Sequence, residues 1–292
     1  MHFVTPEVHL LAATSVNQFG LNNLLHDIGA DDWQSDAHSD AELLAEVAGR
    51  LCYRSFAPGL NPNVTKVREG NANYIKNIIA QKHGSVLEHG SASFAFVNVS
   101  RVATHEIVRH RIAGYSQESL RFIRLDKLAV YFPEVGFGEA TMAALYDSYD
   151  EKRRNELQNM GLDREAFART KALWLRDTFR KAFEEAERLQ QEIGSFLALD
   201  RSSSFPVKKK ITSAMRRLAP DGLATAIVMT ANHRTWRDCI ERRTSRHAEE
   251  EIRLVFAKVY ERLSSEHPAI YADAQEVSVD GIPEITFTHS RV

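Results

Sequence analysis

The chain has 292 residues, 43% of them hydrophobic and 26% charged, with a formal net charge of -2. That is enough to bury a sizeable core as one large domain or two small ones. A near-neutral balance gives no global attraction to nucleic acid or an anionic membrane, so any anion binding must come from local clusters. Cys52 and Cys239, the two cysteines, lie far apart in apolar stretches. This argues against a disulfide scaffold or a Cys-rich metal site and predicts buried thiols. The start, Met1-His2-Phe3-Val4-Thr5-Pro6, lacks a basic region leading into an apolar core. No stretch approaches the roughly eighteen apolar residues of a membrane span, so the cytoplasm is the expected compartment.

In chain order, Val8 to Ala13 suits a strand, and Asp40 to Cys52 a helix, with Leu43, Leu44, Val47 and Leu51 at helical spacing after an acidic start. Asn71 to Gln81 reads as another helix. Ser91 to Val99 alternates small or polar with apolar residues and is the clearest strand. Val102 to Arg109 is a helix, followed by an extended polar segment from Tyr115 to Phe122. Thr141 to Leu199 is strongly helical, with two helices expected on either side of Asn159-Met160-Gly161. Its stripe of Leu175, Phe179, Ala182, Phe183, Ala186, Leu189 and Ile193 is core or interface. Val207 to Leu218 is a short basic helix, Ala224 to Ala231 a buried strand or helix, and Arg246 to Ser264 a final amphipathic helix. The segment from Pro268 onward reads as peripheral.

Chemistry concentrates in Arg109-His110-Arg111-Ile112-Ala113-Gly114-Tyr115-Ser116-Gln117-Glu118-Ser119-Leu120-Arg121. A fold that gathers these cations offsets their repulsion with carboxylates or a bound phosphate. His105 and His110 nearly match a zinc-protease pattern, but at five residues apart they are turned by about 140° on a helix and are poorly placed for one metal. His83 and His89 read as turn or helix-end residues. There is no Gly-rich dinucleotide loop and no phosphate loop ending in Gly-Lys-Ser or Gly-Lys-Thr. Neither Cys52 nor Cys239 sits with an obvious base, as an activated thiol nucleophile requires.

The Arg-His-Arg followed after seven residues by Ser119 resembles the signature of the flavin-dependent thymidylate synthases. His83-Gly84-Ser85-Val86-Leu87-Glu88-His89 and Ser100 to Val108 are similar to the family's approach to that motif. Asn232-His233-Arg234 and Arg243 to Ile252 are similar to its second block. The likeness is close over about 80 to 125 and 210 to 260.

This resemblance implies an α+β, mixed α/β fold with an antiparallel-rich sheet and long helices, assembled as a homotetramer with sites shared between subunits. It implies one domain over 1 to 292, in which the helical section at about 141 to 200 is an elaboration. The implied reaction is reductive methylation of dUMP to dTMP. FAD, reduced by NADPH, supplies the reducing equivalents; methylenetetrahydrofolate supplies the carbon, and tetrahydrofolate is released. Carried over by position, Arg243 activates the uracil ring, and Glu106, Arg109, Gln117, Glu118, Ser119, Leu120, Arg121 and Arg216 hold dUMP. FAD falls to Ser85, Arg109, His110, Arg111, Gln117, Asn232, Arg234 and Asp238. Three positions depart from the pattern: Leu120 replaces Gly or Gln, Glu118 a neutral residue, and Asp238 a common Asn. No metal, nucleic acid or membrane partner is implied. A nucleotide- or flavin-binding regulator without catalysis is the other reading, because the same arginines hold a phosphate without chemistry.

Overall fold

A computed structural model describes residues 1 to 120 and 129 to 290. In chain order the elements are β1 (His2–Val4), β2 (Glu7–Ala13), α1 (Gln18–Asp27), α2 (Asp40–Tyr53), α3 (Asn71–Ala80), β3 (Ser91–Ser100), α4 (Arg101–Ile107), β4 (Gly114–Gln117) and β5 (Ala129–Tyr131). They continue with α5 (Glu139–Ser148), α6 (Glu151–Asn159), α7 (Arg164–Phe196), α8 (Phe205–Met215), β6 (Ala224–Asn232), α9 (His233–Thr244), α10 (Glu250–Glu266), β7 (Ala274–Val279) and β8 (Ile282–Phe287). Short 3-10 turns occur at Gly84–Glu88, Leu199–Arg201 and Arg216–Leu218. The main sheet has the order β2-β3-β6-β4; β1 pairs with β5 in parallel and β7 with β8 antiparallel.

The chain forms two compact units. The first comprises Met1–Glu7, Val97–Ile107 and Gln117–Ile227. Here α5 packs along α7, and Met142, Ala143 and Ala168 form one small core while Tyr146, Leu157 and Phe167 form another. The section expected as two helices is three. Asp150 caps α6 through Arg153 N and Asp163 caps α7 through Ala166 N, so each begins at its own carboxylate. Gly161, at φ +76°, makes the break that the sequence located. On α7 the apolar stripe is core only in part: Phe183 is buried with Val130 and Leu223, whereas Ala182 is exposed.

The second unit comprises Val8–Phe96, Val108–Ser116 and Val228–Val292. Its core is built on α10, where Ile252, Val255, Phe256, Val259 and Leu263 are fully buried at helical spacing. Phe94 meets Trp236 edge-on at 5.2 Å, and the Trp236 indole N–H donates to the Ala92 carbonyl at 3.2 Å. The C-terminal segment is core and not periphery. Ile282, Ile285 and Phe287 are buried, and Arg237, itself buried, donates to both Asp273 carboxylate oxygens at 2.7 and 3.0 Å. Polar composition disguised this segment because its hairpin buries only Ile282, Ile285 and Phe287, all on β8, while β7 buries none.

The expected helix from Arg246 starts at Glu250, because the Glu249 carboxylate accepts from Glu251 N and Ile252 N and sets the cap there. Helix α9, before that gap, was not anticipated as a helix. Cys239 is buried as expected; Cys52 is exposed, in the last turn of α2.

Two buried imidazoles meet in this unit. The His233 and His267 rings lie edge to face at 4.5 Å, with Nδ1 of His233 3.1 Å from the Tyr271 hydroxyl and Nδ1 of His267 2.7 Å from Ser39 Oγ. Among the described residues neither Nε2 has a hydrogen-bond partner. Burial, with a smaller contribution from His267, pushes His233 down to about 3. The unfolded chain takes up this proton near the ordinary value of 6.5 and the folded chain does not, so stability is full above that pH and falls below it. The expected loss between pH 7 and pH 5 is about 2 kcal/mol from His233 alone. Urea denaturation at the two pH values measures it, and His233→Phe should flatten the dependence.

Candidate functional site

In the first unit, α4, the segment after β4 and the 3-10 turn at Arg216–Leu218 frame a cleft of about 470 Å³. Its lining includes Gln117, Glu118, Ser119, Leu120 and Arg216, so five residues expected to hold dUMP come together here. Backbone bonds fix the frame: Arg101 N donates to Leu223 O at 3.1 Å, Val102 N to Asp221 O at 3.2 Å and Glu118 N to Ala226 O at 3.0 Å. Gln117 is aimed by its side-chain amide, which donates to Thr104 Oγ1 at 3.0 Å. Glu106 is half-buried on α4 but does not line this cleft. Arg121 lies outside the described residues.

Two departures from the expected motif acquire physical reasons. Leu120 packs against the core of Val130, Phe183 and Leu223, so an apolar side chain suits that position. One carboxylate oxygen of Glu118 accepts from the Thr225 hydroxyl and from Ala226 N, both at 3.3 Å, which directs its charge toward β6. Sequence reasoning assigned no role to Arg101, His105, Arg217 or Asp221, which also line the cleft. Arg101 and His105 lie in the Ser100 to Val108 block, one helical turn apart, and that spacing was the available signal.

In the second unit, residues from distant blocks meet. Arg243, at the last turn of α9, donates through Nε to Nε2 of His110 at 2.8 Å. An acceptor at Nε2 means that the neutral His110 ring carries its proton on Nδ1. The Tyr115 hydroxyl donates to the His110 carbonyl at 2.5 Å, and burial pushes that phenol up to about 12, so it stays a donor. Arg109 and Arg111 are exposed on either side.

The first turn of α9 carries Asn232 and Arg234. Asn232 is the helix cap, accepting from Thr235 N at 2.8 Å, which leaves its amide N–H₂ to donate elsewhere. Arg234 forms an ion pair with Glu88, on the same 3-10 turn as the exposed Ser85. Asp238 accepts from Arg242 Nε at 2.7 Å, so its carboxylate is already in use. His83 precedes that 3-10 turn without making a side-chain cap, and its ring stacks on Tyr53 at 6.2 Å and 16°. Burial pushes the Cys239 thiol up to about 12, which removes it as a thiolate nucleophile.

These two places gather arginines and hydrogen-bonding side chains, and comparison with known proteins gives the family. Residues 35–269 match the family model of the thymidylate synthase complementing proteins. The flavin-dependent thymidylate synthase of Corynebacterium efficiens is 34% identical over 253 residues, covering 85% of this chain and 86% of that protein. That of Mycobacterium avium is 33% identical over 242 residues, covering 82% of each. A crystal structure of thymidylate synthase X from Helicobacter pylori, with FAD and dUMP, is 18% identical and shares the fold with a TM-score of 0.50 over 92% of this chain and 98% of that one. The chain therefore belongs to the thymidylate synthase complementing protein family, with a mixed helix-and-sheet fold.

Asn232→Ala should cost about 1 kcal/mol of stability through loss of the α9 cap, whereas Asn232→Asp retains the acceptor and should cost far less. Thermal denaturation of both variants reads the difference.

Proposed function

We propose that the protein is a flavin-dependent thymidylate synthase that converts dUMP to dTMP, acting as a homotetramer through one domain over 1 to 292. The observation that carries this reading is the Arg243–His110 hydrogen bond, which unites two motif blocks 133 residues apart. The residues assigned to FAD suit an anionic, hydrogen-bonding cofactor. Ser85, Asn232 and the guanidiniums of Arg109, Arg111 and Arg234 all offer donors, and a pyrophosphate takes donors. Asp238 offers only acceptors and suits a ligand N–H or hydroxyl. When bound, FAD supplies the reducing equivalents, delivered to it by NADPH, while methylenetetrahydrofolate supplies the carbon.

The chain's own part is positioning and electrostatics. The planar guanidinium of Arg243 carries a positive charge that stabilises negative charge on a uracil oxygen or an ionised N3. The hydrogen bond from its Nε to His110 orients the guanidinium. Gln117, Ser119 and Arg216, with Glu106, Glu118, Leu120, Arg109 and Arg121, seat the nucleotide. Ser119 positions and forms no covalent bond.

The purified protein should be yellow or take up FAD, and should oxidise NADPH and form dTMP when supplied with dUMP and methylenetetrahydrofolate. A colourless protein that refuses added FAD contradicts the reading. Arg243→Lys keeps the charge but loses the planar fork, so turnover should fall on the order of ten- to a thousandfold while FAD stays bound. Single-turnover rates at saturating dUMP give this number. Asn232→Asp should lower FAD affinity at nearly unchanged stability, because it keeps the cap and loses the donor.

A further inference from the structure

Arg243 can act on a ligand only from a fixed place, and the group that orients it, the His110 imidazole, sits at the edge of an open loop. From His110 to Tyr115 the chain runs through Arg111, Ile112, Ala113 and Gly114, of which Arg111 and Gly114 are exposed and Ile112 is 74% exposed. A Cβ on Gly114 would meet nothing within 4 Å. Packing therefore does little to hold this loop, and a segment with few buried contacts opens easily unless a specific bond closes it.

The Tyr115 hydroxyl spans that loop. Tyr115 is half-buried on β4, and its O–H donates to the His110 carbonyl at 2.5 Å, which joins the two ends of the loop and fixes the peptide plane after His110. Burial, with a smaller contribution from Cys239, pushes the phenol up to about 12 while the Arg243 charge opposes it, so the O–H remains a donor at neutral pH. His110 is then confined from three sides: its carbonyl by Tyr115, its ring by the Phe256 ring at 6.2 Å, and its Nε2 by Arg243 Nε at 2.8 Å. Phe256 is fully buried, so that side is rigid, and a His110 peptide freed from Tyr115 shifts its ring relative to Arg243.

We infer that Tyr115 is a positioning residue for the reaction, holding the His110 peptide so that the imidazole keeps the Arg243 guanidinium oriented. The inference rests on the reading that Arg243 acts on the uracil ring. A strand thereby sets the place of an arginine at a helix end: β4 carries Tyr115, Tyr115 holds His110, and His110 holds Arg243. The charge of Arg243 is useful only where negative charge develops, so loss of its orientation lowers turnover more than it weakens ground-state binding.

Tyr115→Phe removes only the hydroxyl. With FAD and all substrates saturating, its turnover should fall on the order of five- to thirtyfold while the KM for dUMP stays within about threefold. In an Arg243→Lys background the same substitution should cost less than about twofold, because the group it acts through is already altered. Incorporation of para-aminophenylalanine in place of Tyr115, which restores a donor on the ring, should recover most of the turnover. An equal fold loss in both backgrounds would mean a general structural role and overturn the inference, as would unchanged turnover. A crystal structure of FAD-loaded Tyr115→Phe reads the same link without activity: the Arg243–His110 bond should lengthen or break, and its retention contradicts positioning. If wild type binds FAD but forms no dTMP, the thymidylate reading fails and that structure decides the role of Tyr115. Should Tyr115→Phe not fold, difluorotyrosine in its place, with a more acidic phenol, should make turnover fall at alkaline pH where wild type holds; matching pH profiles overturn the inference.

Discussion

The complete burial of Trp236 is the constraint on which much of the second unit depends. Its indole sits between Phe94 and Phe256 and spends its N–H on the Ala92 carbonyl, so α9 has one allowed rotation against β3 and α10. A helix fixed at its middle projects its ends predictably. One end carries Asn232 and Arg234; the other, about 14 Å of rise beyond Arg234, carries Arg243. Buried Arg237 and Cys239 lie beside Trp236, so the polar groups left on this helix are those at its ends and on its outer face.

Charge is managed differently in the different parts of the molecule. On the surface of α7, Arg188 pairs with Glu185 and Glu192 within its own helix, an exposed arrangement worth little to stability. Arg50 and Arg237 are buried, and each is fully engaged by carboxylates, carbonyls and an aromatic ring: Arg50 lies 4.4 Å from the Tyr74 ring centroid and Arg237 4.0 Å from that of Phe287. Those cations hold the chain together.

Replacement of thiol chemistry by electrostatics has a structural counterpart. Cys239 is sealed in the core and Cys52 is exposed without a basic partner at its sulfur, which instead donates to the Ala48 carbonyl at 3.3 Å. The residues proposed above to hold ligands are mostly arginine, serine and amide side chains, which offer the donors that anions take. Leu120 lines the cleft while its side chain packs against Val130, Phe183 and Leu223, so an apolar residue suits that position.

Local pattern determined a good deal by itself. The β3 alternation, the α2 and α3 periodicities, the break at Gly161 and the Arg-His-Arg motif with its distant partner block are all legible along the chain, because strand and helix periods and short motifs are properties of neighbours in sequence. What only the tertiary structure decided depends on residues far apart. The C-terminal hairpin is core because Arg237 and α10 cover it, although its own composition is polar. His110 and Arg243 touch across 133 residues, which no spacing rule conveys.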